Sequence, residues 1–545
     1  MAHLTKERNI LFGLFLIACL WFVAVGYSAS VTKNAFVFGD EAGYFLPIIF
    51  GSSPNNYQHW GDTFAEYPSY LYFWLYSELP RENLHFWVKI LNAAFVAFTA
   101  WPAYLVARRY LAEIPSAIFA CFVVATPIAS FARYVMPETL YFFGFWCSLA
   151  VVLLLVDRHK FLAACCGGLA TGALSLVKPH AIAVAFGLGA YLLIRNSRRS
   201  GVLAALVLTI AYYVARVALG QLILGHPIWS ASGGAYTSML QTSINWPATI
   251  LNAFGHLFAL GALLGPILVV PIVVLFRDRK CPTEIDLATL TICLIGPMLL
   301  MTIYFSQSIY QFSLGAERIT RLHGRYYVYP IPLFVLLSGL CLKHLRSFGA
   351  MHGRIFQLSM FTFAICGTII FLFYKTGPID YADLTMLSGS APVATGLIVM
   401  QLAGALYCLY RAPQFALIAA PSLVIFIQLG TTCVLTTLAP TIAFAPRTID
   451  LAFLRSEKDS KLRSLIGRPD GVVIGSPDTA SDVSRAMFYL ESLSHGQYAP
   501  ANNTVGDDDI PANVKWFLLL PGVHYAGTKK TNAERGLLIF ENAQN

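Results

Sequence analysis

Apolar runs about as long as a bilayer is thick follow one another through most of this chain, and a backbone so placed has few conformational choices. Inside hydrocarbon every N–H and C=O must find its partner within the protein, and uninterrupted apolar runs satisfy that rule as helices. Such runs can be read near 9–30, 86–107, 114–131, 139–156, 161–177, 180–195, 201–223, 249–276, 286–305, 327–342, 355–374, 392–410 and 414–438. They predict a polytopic α-helical membrane protein of about thirteen spans. Composition agrees: 57% of the residues are hydrophobic and 12% charged, against roughly 25% charged in a soluble domain.

Orientation follows from the basic residues between the runs, because cytoplasmic loops retain Lys and Arg. With the N-terminus inside, the inner loops carry Lys6 and Arg8, Arg108 and Arg109, Arg158 and Lys160, then Arg195, Arg198 and Arg199. Later inner loops carry Arg277, Arg279 and Lys280, then Lys343, Arg346 and Arg354, then Arg411. An odd number of spans places the C-terminal tail outside, so the chain is expected in the inner (plasma) membrane with a cytoplasmic N-terminus and an extracytoplasmic C-terminus. The net charge of +9 is read as this orientation signal and implies no nucleic-acid partner. The first run is too long for a cleaved signal peptide, and Ser28, Ala29 and Ser30 make a weak cleavage site. The cysteines lie in or beside spans or in an inner loop, which predicts no disulfide framework.

Function is sought where charge is held against the membrane. Asp40 and Glu41 open the first outer loop, 31–85, just beyond the first span. A carboxylate pair there is costly to keep and marks a candidate site, although Asp40 also suits a helix cap. The loop is strongly aromatic, with Tyr44, Tyr57, Trp60, Tyr67, Tyr70 and Trp74 among its rings, and it also holds His59, Asp62 and Glu66. Such rings suit a bilayer interface and equally the faces of sugars. A second outer turn delivers Arg133 and, after Pro137, Glu138, which a first-turn position at a helix start would also favour. Lys178 and His180 join the short fifth and sixth spans, where a lysine can snorkel to headgroups or meet a lipid phosphate. Arg216 lies inside the seventh span near its outer end, and Arg318, Arg321, His323 and Arg325 precede the tenth. No cluster has the His and Cys spacing of a zinc site, so no cofactor is assigned and a divalent metal is unsupported by spacing.

The arrangement resembles the polyprenyl-phosphate-dependent membrane glycosyltransferases of the GT-C fold, the protein O-mannosyltransferases and the aminoarabinose transferases that modify lipid A above all. Asp40-Glu41 with Tyr44 is similar to their acidic signature after the first span, and Glu138 in ARYVMPE to the acid that follows the third. Glu66-Tyr67-Pro68-Ser69-Tyr70 looks like their acidic, proline-containing segment, Lys178 like the lysine after their fifth span, and Arg325-Tyr326-Tyr327 with Pro330 and Pro332 like their RY-x-x-P-x-P opening. The aminoarabinose enzymes carry Lys-Pro-Pro where this chain has Tyr67-Pro68-Ser69, which shifts the phosphate contact toward Lys178, Arg133, Arg216 or Arg325.

The resemblance implies an inverting transfer of a sugar from a polyprenyl phosphate to a hydroxyl of a lipid, glycan or protein outside the cytoplasm, in cell-envelope biogenesis. A phosphate leaving group needs no strong general acid; it needs a base for the acceptor hydroxyl and cations for the departing charge. Asp40 is expected to be the base, with Glu41 and Glu138 orienting the substrates and with Tyr44, His59, Glu66, Tyr67, His180 and Tyr326 lining them. A transporter or flippase for a lipid-linked sugar is the competing class, but no internal repeat is visible and the charges gather on one face. A noncatalytic assembly partner is a third class, disfavoured by the joint presence of Asp40, Glu138 and Lys178.

The transmembrane part is expected to cover 1–438. The polar tail, 439–545, reads as a small α/β unit, with helices at 458–466 and 481–493 and strand-like runs GVVIG at 471–475, VKWFLLL at 514–520 and GLLIF at 536–540. It is expected to act as a lid or acceptor-docking module, and its Asp507-Asp508-Asp509 turn to be solvated.

Overall fold

The computed structural model describes residues 2–31, 44, 48, 68–80, 84–225, 227–228, 243–276, 281–312, 318, 320–341, 350–374, 383, 396, 399, 416–437, 471–475, 495–499, 503–510, 514–520, 522–528, 532–534 and 537–541. The helices are α1 (Ala2–Val31), α2 (Tyr70–Ser77), α3 (Leu84–Phe98), α4 (Ala100–Arg108), α5 (Glu113–Val124), α6 (Glu138–Leu155), α7 (Lys160–Leu174), α8 (Ala181–Arg195) and α9 (Arg198–Leu224). There follow α10 (Trp246–Leu264), α11 (Val270–Phe276), α12 (Pro282–Phe312), α13 (Ile331–Cys341), α14 (Ala350–Phe373) and α15 (Ala416–Thr437).

Among the described residues six helices are long and apolar enough to cross a membrane, or seven if the pair Glu113–Val124 and Pro127–Arg133, bent by 46°, counts as one broken span. The chain is a multi-pass membrane protein. Several expected spans are shorter than uniform crossing helices. Those at 161–177, 180–195 and 327–342 are helices of 15, 15 and 11 residues, or ~17–23 Å at 1.5 Å per residue. The one expected at 249–276 is interrupted by a 3-10 turn over Gly265–Val269, where Gly265 has φ +50° and Pro266 follows. The expected span at 392–410 lies almost wholly outside the described residues.

Close packing of α7 on α9 fixes the centre of the bundle. A Cβ on Gly168 would meet the Leu208 carbonyl oxygen at 2.3 Å, and one on Gly172 would meet that of Tyr212 at 2.3 Å. The glycines are four residues apart, the spacing that lets two membrane helices approach backbone to backbone. This contact brings the end of α7, and the turn after it, against the middle of α9.

One end of the bundle is tied by charge. Arg109, after α4, binds Asp157 beyond α6 at 2.7 Å and Asp286 in α12 at 3.3 Å. Arg195, ending α8, pairs with the same two aspartates. Asp286 also accepts from Tyr110 at 3.0 Å and Tyr191 at 2.8 Å. Four helix ends thus converge on two carboxylates.

The strands lie in the tail: β1 (Gly471–Gly475), β2 (His495–Tyr498), β3 (Thr504–Val505), β4 (Trp516–Leu519), β5 (His524–Tyr525), β6 (Asn532–Glu534) and β7 (Leu537–Glu541). A five-stranded sheet has the order β2-β1-β4-β7-β6, parallel across β2, β1 and β4 and antiparallel beyond. Both faces of β1 and β4 are buried, which is why their sequences are unbroken apolar runs. Gly471 pairs with Trp516, whose ring lies where a Cβ would be, 1.9 Å from its position. The expected tail helices at 458–466 and 481–493 lie outside the described residues. In the acidic turn, whose residues are half-exposed or exposed, Asp507 accepts from the Thr528 backbone N–H at 2.8 Å, and Asp509 from the Gly506 N–H at 2.7 Å.

The tie at the helix ends generates a prediction. Asp286 is 11% exposed in its side chain, and Asp286→Ala should cost ~2–4 kcal/mol in a detergent unfolding titration, because it removes one of the two carboxylates that Arg109 and Arg195 share and the acceptor of two tyrosine hydroxyls. The hydrogen bond from Arg109 holds the Asp157 carboxyl below its ordinary range. Its stabilising contribution is therefore complete above pH ~4 and lost as pH falls through the lowered pKa, so Asp157→Asn should flatten the acid limb of a melting-temperature profile.

Candidate functional site

Glu138 is the first residue of α6, with Pro137 capping it, and it is fully buried. A carboxylate at a helix N-terminus meets the positive end of the dipole, but burial at this depth demands a counter-charge. Lys178, in the turn between α7 and α8, supplies it: Lys178 Nζ donates to Glu138 Oε1 at 2.8 Å, and the lysine is as deeply buried. Glu138 Oε2 accepts no hydrogen bond although it is buried.

A second cation and three rings complete the cluster. Lys178 Nζ lies 4.9 Å from the Tyr326 ring centroid and Arg325 Cζ lies 5.2 Å from it, both within cation–π range. Arg325 Nη2 reaches the Tyr326 hydroxyl at 3.2 Å. His180 stacks on Tyr326 with centroids 4.0 Å apart and planes at 9°, and its ring also lies 4.9 Å from Phe305. Arg216, buried in α9, donates to Ser175 Oγ at 2.8 Å, three residues before Lys178. Glu138, Lys178, His180, Arg325 and Tyr326 are therefore brought together, and Arg216 meets the same turn.

Behind Glu138 sits a polar hub. Asn92 of α3 is buried; its Oδ1 accepts from Thr139 at 2.9 Å and from Tyr76 at 2.5 Å, while its Nδ2 donates to the Tyr134 carbonyl at 2.8 Å. This fixes the residue after Glu138 and ties α2 to the start of α6. Helix α2 is also held to the Lys178 turn, because Leu71 N–H donates to the Leu176 carbonyl at 2.9 Å. Tyr44 packs edge-on against Tyr72 of α2 at 6.1 Å, and the Tyr72 ring lies 4.1 Å from that of Tyr76. Asp40, Glu41, His59, Glu66 and Tyr67 lie outside the described residues.

Arg133 is placed differently. Its guanidinium donates to Ser28 Oγ of α1 and to the Leu435 carbonyl of α15, joining three elements. Sequence reasoning passed over Asn92, Thr139 and Ser175, and also His256, whose ring nitrogens lie 3.1 Å from Tyr327 Oη and 3.2 Å from Ser306 Oγ. A polar residue alone in an apolar run was the one available signal. Among the described residues no group of three or more His, Cys, Asp or Glu could hold a metal ion.

No family model matches the chain, and no curated protein does. Among solved structures it is similar to the archaeal oligosaccharyltransferase AglB from Archaeoglobus fulgidus in complex with an inhibitory peptide and a dolichol-phosphate, at 14% identity over 92% of this chain and 69% of that one, with a TM-score of 0.37. The apo form of the Archaeoglobus fulgidus enzyme gives 12% identity over 94% and 69%, with a TM-score of 0.37. A likeness of this size assigns neither family nor activity.

The ion pair can be tested by itself. Lys178→Met leaves a buried carboxylate without its cation and should lower stability by ~3–5 kcal/mol, whereas Lys178→Met with Glu138→Gln should recover most of that loss. Thermal melts of the purified variants read the difference. Equal destabilisation in the single and double variants would mean that the pair does not hold the turn.

Proposed function

We propose that the chain is an integral-membrane inverting glycosyltransferase of the GT-C type, which moves a sugar from a polyprenyl-phosphate donor to a hydroxyl on an extracytoplasmic lipid, glycan or protein. The observation that carries this reading is the cluster of cations built around the buried Glu138–Lys178 pair. Arg325 shares the Tyr326 ring with Lys178, and Arg216 holds the turn before Lys178 through Ser175. Cations fixed in this way suit a phosphate, whose departing charge they stabilise.

In this reading Lys178 and Arg325 receive the phosphate, with Arg216 behind them. Glu138 yields part of Lys178 to the donor, while its second oxygen accepts a sugar or acceptor hydroxyl. Tyr326 and His180 offer stacked faces to the pyranose or furanose ring. Asp40 takes the acceptor's proton as its oxygen attacks the anomeric carbon; the carbon–oxygen bond to phosphate breaks, and the phosphate leaves as a dianion held by the cations. One base and one displacement invert the anomeric centre. Glu41 orients the acceptor, Tyr44, His59, Glu66 and Tyr67 line it, and the tail beyond 438 closes over it or docks it. Some thirteen crossings place the N-terminus in the cytoplasm and the tail outside.

Asp40→Asn separates catalysis from capping, since it keeps the shape and the hydrogen-bonding oxygen but cannot take a proton. The variant should accumulate in the membrane and bind a polyprenyl-phosphate sugar normally, with transfer reduced at least ~100-fold. Near-normal transfer would sink the assignment. Lys178→Ala should weaken donor binding instead, by ~10–100-fold for one charge-assisted contact. A reporter fused to the C-terminus should be active only outside the cytoplasm.

A further inference from the structure

Away from the Glu138 cluster, one buried position holds more unpaired oxygen than a folded interior ordinarily leaves. Gln428 and Thr431 lie three residues apart on α15, hence on one face, and both are fully buried. Asp383, in the stretch after α14, is buried with them, and its Oδ1 accepts from Gln428 Nε2 at 2.8 Å. That bond leaves Asp383 Oδ2, Gln428 Oε1 and Thr431 Oγ1 all buried without a hydrogen-bond partner. The neighbouring Thr432 is satisfied, since its hydroxyl reaches the Ala125 carbonyl at 2.7 Å and the Gln428 carbonyl at 2.9 Å.

A carboxylate oxygen, an amide oxygen and a hydroxyl make the ligand set of a hard cation, and they offer a soft metal nothing. Charge decides the valence. One carboxylate cancels one positive charge, whereas a divalent ion would leave a net charge in a buried site. No other described group supplies a counter-charge. On the elements packed against α15, Arg133 is bonded to Ser28 and the Leu435 carbonyl, His256 to Tyr327 and Ser306, and Tyr374 to the Leu251 carbonyl.

We propose that Asp383, Gln428 and Thr431 bind a sodium ion, which joins Asp383 to α15.

The test is a melt of the full-length protein in detergent at pH 8, with sodium chloride replacing N-methylglucamine chloride at constant ionic strength. The expected result is a saturable rise in melting temperature of ~2–4 °C, abolished in Asp383→Asn and reduced in Thr431→Val. An equal response in Asp383→Asn overturns the site. So does the absence of a sodium response in the unsubstituted protein, which is a water site, or a rise with calcium and none with sodium. Should Asp383→Asn fail to accumulate, the wild-type sodium series and Thr431→Val decide between the same outcomes.

Discussion

The bundle depends on one ion pair that it could not bury as separate charges. Glu138 and Lys178 come from different helix ends and meet at 2.8 Å with almost no access to solvent. Either one alone would be pulled toward water or would neutralise itself. Their meeting requires the turn between α7 and α8 to stand against the start of α6, which requires α7 to lie close to α9, which requires Gly168 and Gly172 to have no side chain. A Cβ at either glycine would push α7 away and leave Ser175 out of reach of Arg216. Polar chemistry at the site is thus held by apolar geometry about one to three turns below it.

Irregular backbone gathers around the same place. The chain reaches Glu138 through a 3-10 turn and a proline, reaches Lys178 through a turn closed by Pro179, and reaches Tyr326 through another 3-10 turn. Backbone of this kind leaves peptide groups unpaired and is tolerated within a membrane only where protein covers it. Asn92 shows how the cover works: one side chain takes up a tyrosine hydroxyl, a threonine hydroxyl and a backbone carbonyl. The short helices α7, α8 and α13 follow from this, because residues that would lengthen a span are used in turns that carry side chains inward.

Much of this was legible in the sequence, for stated physical reasons. Glu138, Lys178 and Arg325 stood out because charge beside an apolar run is rare, and Tyr326 and His180 came with them as neighbours. The strands at 471–475 and 516–519 were legible because sheet strands covered on both faces read as apolar runs, and the one at 537–541 because its sequence is apolar as well. Span lengths were less legible, since an apolar run does not reveal where a glycine or proline will break it, as at Gly265 and Pro266. Single polar residues such as Asn92 and His256 form no spacing pattern, and their partners are 42 to 71 positions distant in sequence for Tyr134 and Tyr327. Arg133 was legible as a charge but not as a strut, because Ser28 and Leu435 give no sign in sequence of approaching it.

The tie between Arg109, Arg195, Asp157 and Asp286 has a meaning in time. With the basic loops inward, as proposed, Arg109 and Arg195 belong to the charges that keep those loops from crossing during synthesis. Asp286 is 177 residues beyond Arg109, which at 5–20 residues per second is a delay of ~9–35 s. Through that interval Arg109 lacks one of its two carboxylates, and Arg195, made 86 residues after it, lacks the same one for the remaining 91 residues; afterwards Asp286 takes both into the fold. In the proposed orientation, the same side chains direct the threading of the chain first and lock the result afterwards.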